Sequence, residues 1–384
     1  MCQVRSLIIF GTRPEAIKLA PVVTQCRADP TMEAIVCSTG QHREMLAQVA
    51  DYFDLRPDLD LNVMQPNQTL TTLTVRCLEG IDGATERWRV DCIVAQGDTT
   101  TALAASMVAF YRRLPFVHVE AGLRTGNLQS PWPEEFNRRV ASLVASLHCA
   151  PTRSAASNLL AEGLSPHRIH VTGNTVIDAL QWTVERERQC GRIWRKKYDF
   201  LGERPVVLIT GHRRENFGMN FEAMCRAIQK LAQRFADVVF VYPVHLNPCV
   251  REPVFRLLGN LCNVHLIEPA PYPEFVWLMD RAKLILTDSG GVQEEAPSLG
   301  KPVIVMRDTT ERPEAVEAGA VRLVGTSERA IIENVADLLT DEIAYSRCQI
   351  RDNPYGDGKA AQRIVGLLRL RAWEASGEPI RVAA

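Results

Sequence analysis

The stretch Ser6-Leu7-Ile8-Ile9-Phe10-Gly11-Thr12-Arg13-Pro14-Glu15-Ala16-Ile17-Lys18 decides the fold. Ser6–Phe10 is a continuous run without charge. A strand with one wet face would alternate, so this one is predicted to be covered on both sides. Gly11 permits a tight turn, and Pro14 suits a first helical turn, where its missing N–H is one of the unpaired donors anyway. The unit strand–turn–helix then recurs along the chain. Further strands are predicted at Ala34–Ser38, Cys92–Ala95, Phe116–Val119, Leu147–Ala150 and Ile169–Thr172. A second set follows at Val206–Thr210, Val238–Tyr242, Val264–Ile267, Leu284–Thr287, Val303–Met306 and Val321–Val324. Helical patterns such as Thr99–Arg112, Glu135–Ser146, Phe221–Phe235 and Ser327–Leu339 lie between them. Short apolar runs, each followed by a helix, predict an α/β protein with parallel sheets.

The rhythm breaks once, between Val184 and Arg204, at Glu185-Arg-Glu-Arg-Gln-Cys-Gly191 and Trp194-Arg-Lys-Lys-Tyr198. A charged stretch bounded by Gly and Pro reads as a domain connection, the alternative being a surface helix inside one larger domain. At roughly 150 residues per domain, a chain of 384 residues accommodates two. The expected division is 1–185, 186–366, and a tail 367–384 whose helix packs back on the first domain. Each domain is expected to be a Rossmann-like, doubly wound sheet. The two would face each other across a cleft, with ligands beyond the C-terminal strand ends.

Composition narrows the function. Hydrophobic residues at 46% and charged residues at 23% exclude wholesale disorder. A formal charge of −1 lacks the broad basic footprint of a nucleic-acid binder, though it leaves room for a local cationic pocket. No run approaches about 20 apolar residues, so neither a membrane span nor a membrane partner is expected, and the apolar run within Met1–Phe10 is too short for a signal peptide. Eleven cysteines without a CxxC pair read as reduced thiols and a cytoplasmic location. The histidines show no HxxxH or HExxH spacing, so no metal site is expected.

The polar residues that follow each strand carry the chemistry. Arg13 lies at a strand end beside a helix start, where anions bind, and Lys18 follows one turn on. Asp98, in Gln96-Gly97-Asp98-Thr99, either caps the next helix or faces a ligand. Glu120 directly follows Phe116–Val119, and a carboxylate there is costly unless it has a partner or a task. Glu134 starts a helix and either pairs with Arg138 one turn on or serves the site. In the second half, Gly211-His212-Arg213-Arg214-Glu215-Asn216 places His and two Arg after a strand, and His245 follows the next one. Asp288-Ser289-Gly290-Gly291 lets backbone N–H groups approach a phosphate, and Glu295 can accept from a ribose diol. Two acids and several cations at strand ends suit a phosphorylated ligand with acid–base chemistry at its other end.

The motifs Phe10–Lys18, Gln96–Thr100, His118–Thr125, Gly211–Asn216, Thr287–Glu295 and Arg307–Glu314, in that order, resemble the non-hydrolysing UDP-N-acetylglucosamine 2-epimerases of bacteria. The resemblance runs from about residue 4 to 366. It implies the two-domain arrangement called GT-B, a homodimer, and interconversion of UDP-N-acetylglucosamine and UDP-N-acetylmannosamine for surface polysaccharides. It implies Arg13, Lys18, Asp98, Glu120, Glu134 and His212 as the catalytic region. It assigns Phe275, Ser289, Gly290, Gly291, Glu295 and Arg312 to the UDP, together with Arg13, Lys18 and His212. An allosteric site for a second substrate molecule would use Gln41, His42, Arg213 and His245. Two departures stand out: Ala270 replaces a Gln of some relatives, and the loop Met64–Gln68 lacks a basic residue.

The C2 proton of such a sugar is not acidic, because no carbonyl adjoins it. Cleavage of C1–O must come first. Loss of UDP and the C2 proton gives 2-acetamidoglucal, and re-addition restores the bond with C2 inverted. No cofactor is needed. A GT-B glycosyltransferase, a hydrolysing epimerase and a non-catalytic nucleotide-sugar binder remain the alternatives.

Overall fold

All five side chains of Val206–Thr210 are buried, and so are those of Cys92–Gln96. Runs of this kind require a sheet with cover on both faces. The computed structural model describes residues 3–40 and 43–374, without the side chains of 43–45. It contains two such sheets. The first is built from β1 (Val4–Phe10), β2 (Met32–Ser38), β3 (Leu59–Asp60), β4 (Cys92–Gln96), β5 (Phe116–Val119), β6 (Leu147–Ala150) and β7 (Ile169–Val171), in the order β3-β2-β1-β4-β5-β6-β7. The second is built from β8 (Val206–Thr210), β9 (Val239–Pro243), β10 (Val264–Ile267), β11 (Leu284–Thr287), β12 (Val303–Val305) and β13 (Val321–Leu323), in the order β10-β9-β8-β11-β12-β13. Neighbouring strands in both sheets are parallel.

Every predicted strand is present within two residues at its ends, and the two-residue β3 is added. The expected class, two Rossmann-like doubly wound units, is the one observed. In each sheet the winding reverses once: between β1 and β4, and between β8 and β11. The crevice outside the strand ends at such a reversal is the ligand position of the fold. The first core packs Leu7, Ile9, Ile93 and Phe116 under Ala102, Ala105 and Ala109. The second packs Val207, Ile209 and Phe240 under Phe221, Met224 and Ile228.

Two compact units divide the chain, 1–179 with 355–384, and 180–354. The sequence expectation instead placed the first boundary at 185 and kept 355–366 in the second domain. The returning segment is tied to the first unit by its backbone. Asn174 donates its N–H to the Tyr355 carbonyl at 2.7 Å. The Asp178 carboxylate accepts from the N–H groups of Ala360 (3.2 Å) and Ala361 (2.8 Å), an anion at a helix start. That helix, Ala360–Arg369, packs on Arg13–Ala28. Of the tail expected at 367–384, residues 375–384 lie outside those described.

Among the described residues no cysteine is in a disulfide; seven of the ten are buried, while Cys190, Cys249 and Cys262 are exposed. Among the described residues no helix is long and apolar enough to cross a membrane.

Candidate active site

Two clusters stand at the two reversal points. In the first unit Glu120 is the centre. It follows β5 in a left-handed conformation, φ 61°, and is only 7% exposed. Lys18, one turn into the helix after β1, donates to its two oxygens at 2.6 and 2.7 Å. Gln96, the last residue of β4, also donates to it, as does Asn174 at 3.1 Å. Three elements thus converge on one buried anion, and the adjacent ammonium offsets much of the cost of burying it. Of these partners Lys18 was legible in the sequence, whereas Gln96 and Asn174 were not.

Asp98 does not cap the helix Thr100–Arg112. Thr99 does, accepting from Ala102 N–H at 3.2 Å. The Asp98 carboxylate pairs with Arg138, and its carbonyl accepts from Asn137 at 2.9 Å. Arg138 is therefore committed to Asp98 and to Glu135 (3.4 Å), and the alternative pairing with Glu134 is not formed. Glu134 starts its helix half-buried, with no hydrogen bond or ion pair among the described residues. Its neighbour Glu135 is fully buried instead, and accepts from the N–H groups of Thr125 (3.1 Å) and Gly126 (3.3 Å).

Arg13 is the first residue of its helix. The turn that presents it is fastened by Glu15, another carboxylate without distinctive sequence signal. Glu15 accepts from Gly11 N–H (3.0 Å), Thr12 N–H (2.7 Å) and the Thr99 hydroxyl (2.6 Å), which locks the turn after β1 to the turn after β4. Burial raises its pKa, against the pull of these donors. His118 adds a second tie: its Nε2 meets the Gly97 carbonyl at 2.7 Å. Burial drives the His118 pKa down to about 4 and that of the neighbouring His148 to about 3.

In the second unit the turn after β8 presents His212 and Arg213, and Asp288, after β11, holds it. One Asp288 oxygen accepts from the N–H groups of both residues at 2.9 Å. The His212 ring stacks on His245, centroids 5.5 Å apart. Burial lowers the His212 pKa, Asp288 opposes this, and His245 and Arg213 reinforce it. Ser289 donates its N–H to Thr287 (2.9 Å) and leads into the helix Gly290–Glu295. A Cβ on Gly290 would lie 3.4 Å from the guanidinium groups of both Arg213 and Arg312, so that glycine leaves room where two cations meet. Arg312 is braced by Glu294 at 2.8 Å. Glu295 accepts from the Tyr272 hydroxyl at 3.0 Å, and Phe275 lies half-buried on the helix Tyr272 opens.

Of the four residues expected at an allosteric site, Gln41 and His42 lie outside the described residues. Arg213 and His245 stand beside Arg312 and His212 respectively. The loop Met64–Gln68 has no cation of its own, but Arg76 from the next helix donates to the Val63 carbonyl at 3.0 Å.

The first unit thus holds a buried carboxylate cluster, and the second a glycine turn beside two arginines. The family model described as UDP-N-acetylglucosamine 2-epimerase matches residues 24–369. A probable UDP-N-acetylglucosamine 2-epimerase of Ralstonia nicotianae is 56% identical over 93% of this chain and 96% of its own. The UDP-N-acetylglucosamine 2-epimerase of Escherichia coli is 54% identical over 94% and 98%. The crystal structure of UDP-GlcNAc 2-epimerase from Neisseria meningitidis, bound to UDP-GlcNAc, superposes with TM-score 0.89 at 48% identity, over 95% of this chain and 99% of that one. Motifs, fold and relatives converge, and the chain belongs to the UDP-N-acetylglucosamine 2-epimerase family.

Proposed function

We propose that the protein interconverts UDP-N-acetylglucosamine and UDP-N-acetylmannosamine without hydrolysis, by eliminating UDP to 2-acetamidoglucal and adding it back. The observation that carries this is Glu120, a buried carboxylate at the end of β5 gripped by Lys18 at 2.6 Å. As C1–O breaks, its electron pair goes to the diphosphate. Arg13, His212, Arg312 and the Ser289–Gly291 backbone stabilise that charge, each such preorganised donor contributing on the order of 3 kcal/mol. Phe275 and Glu295 hold the nucleoside. Asp98, Glu120 and Glu134 move the C2 proton. It leaves one face and returns on the other, so two acids in different environments are required. Asp98 beside Arg138 and the more exposed, unpaired Glu134 supply such a contrast with Glu120.

The test is turnover of UDP-N-acetylglucosamine in D2O with no acceptor present. Deuterium at C2 of both UDP-sugars supports the reaction. Untouched sugar points to a glycosyltransferase or a non-catalytic nucleotide-sugar binder, and free N-acetylmannosamine with UDP to a hydrolysing enzyme. The protein acts as a homodimer, in keeping with exposed Phe110, Tyr111 and Leu143 on helices that pack side by side. Cysteines that form no disulfide among the described residues suit the cytoplasm.

A further inference from the structure

Asp288 stands where a carboxylate is costly, directly after β11 and with no solvent exposure. Oδ2 accepts from the N–H groups of His212 and Arg213 and from the Asn216 side-chain amide (3.3 Å). Among the described residues Oδ1 has no hydrogen-bond partner, and His212 Nδ1 lies 3.7 Å from it. A buried carboxylate oxygen without a donor calls for a physical account. We propose that Asp288 is a positioning residue for His212: it selects the Nδ1–H tautomer, leaves Nε2 as the nitrogen that serves the ligand, and stabilises the imidazolium that donates to the departing diphosphate. The proposal rests on the epimerase reading for the identity of that ligand.

The geometry explains why one aspartate does both jobs. By fastening two consecutive backbone N–H groups, Oδ2 fixes where the His212 ring starts, and Oδ1 then meets the near ring nitrogen. When Nε2 is protonated, Nδ1–H carries part of the positive charge toward Oδ1, and the long contact shortens into a charge-assisted hydrogen bond. The other groups facing the ring are His245, stacked upon it, and Arg213 beside it. Burial and both of these neighbours disfavour the imidazolium, and of the three side chains only Asp288 favours it.

The experiment uses the full chain and its Asp288→Asn variant, without ligand, with ¹⁵N NMR of the imidazole rings. The signal of His212 is identified by its loss in His212→Asn. In the wild type, neutral His212 carries its proton on Nδ1. In Asp288→Asn the side-chain oxygen still accepts from the two backbone N–H groups, but an NH2 now faces Nδ1 and forces the Nε2–H tautomer. The titration midpoint of His212 falls by about one pH unit, a tenfold loss of proton affinity. The alkaline limb of kcat/KM moves down with it. kcat falls about 100-fold while KM changes far less, and UDP still binds. A wild-type His212 protonated on Nε2, or an unmoved midpoint in folded Asp288→Asn, overturns the proposal. If that variant does not fold, the wild-type tautomer decides. If the tautomer and midpoint behave as stated but no deuterium enters C2, the dyad stands and the epimerase reading falls.

Discussion

Glu120 shows what a single residue is asked to do in this protein. It accepts a left-handed backbone that only glycine adopts freely, and a burial that carboxylates avoid. Both costs are tolerated because the carboxylate is held by Lys18, Gln96 and Asn174 rather than by solvent. Replacing Glu120 by Gln, or Asp98 by Asn, should lower kcat by about 100-fold or more while UDP, titrated calorimetrically, still binds. Wild-type turnover in either variant would remove that residue from the chemistry. The buried histidines make a separate prediction. The folded-state pKa values of His118 and His148, about 4 and about 3, lie below the ordinary 6.5. Both rings must therefore stay neutral in the folded protein. The stability this contributes is complete above pH 6.5 and is lost as pH falls toward those values, by at most about 1.4 kcal/mol per pH unit for each ring. Melting temperatures between pH 7.5 and 4.5 should follow this slope. His148→Leu should flatten it, and an unchanged slope would show that His148 does not titrate with unfolding.

At the level of elements, the turns at strand ends are fastened across the sheet as well as along the chain. Gly122 is the tightest point: φ is +93°, and a Cβ there would lie 2.2 Å from the Ala155 carbonyl oxygen in the helix Arg153–Ala161. Gly122→Ala should destabilise the protein by about 3 kcal/mol, read from denaturant midpoints, since the clash is with backbone that has no rotamer to change. Glu15→Ala strips the acceptor from two N–H groups and the Thr99 hydroxyl, and should cost about 2–4 kcal/mol and lower kcat as well, because the turns bearing Arg13 and Asp98 come loose together. These fasteners also mark where the sequence stops being legible. The strands are readable because buried parallel strands are unbroken apolar runs, and Glu120 because a charge directly after such a run is conspicuous. β3 is two residues long and gives no pattern. Asp288 and Glu15 look like ordinary acids near helix starts; only the fold brings Asp288 to His212, 76 positions away, and Glu15 to Thr99, 84 away. The Glu134–Arg138 spacing pointed to a helical pair, but the chance of a shorter contact with Asp98 on another element decided where Arg138 goes.

For the molecule as a whole, Leu143 is 77% exposed and Phe110 64%, more apolar surface than an isolated helix pair needs to show water. In a two-fold dimer each substitution counts twice, so Leu143→Glu introduces two charges into one interface. Sedimentation should report a dimer for the wild type and a monomer for Leu143→Glu; a monomeric wild type would discard the dimer. The second feature at this scale is the return of the chain to its first unit through Tyr355–Arg369. During synthesis the leading 179 residues emerge without the piece that Asn174 and Asp178 wait for, whereas all strands of the other sheet lie between Val206 and Leu323. Since domains close as units while they leave the ribosome, the nascent protein matures out of order: the second unit can close on its own strands, whereas the first stays open until Tyr355–Arg369 has followed.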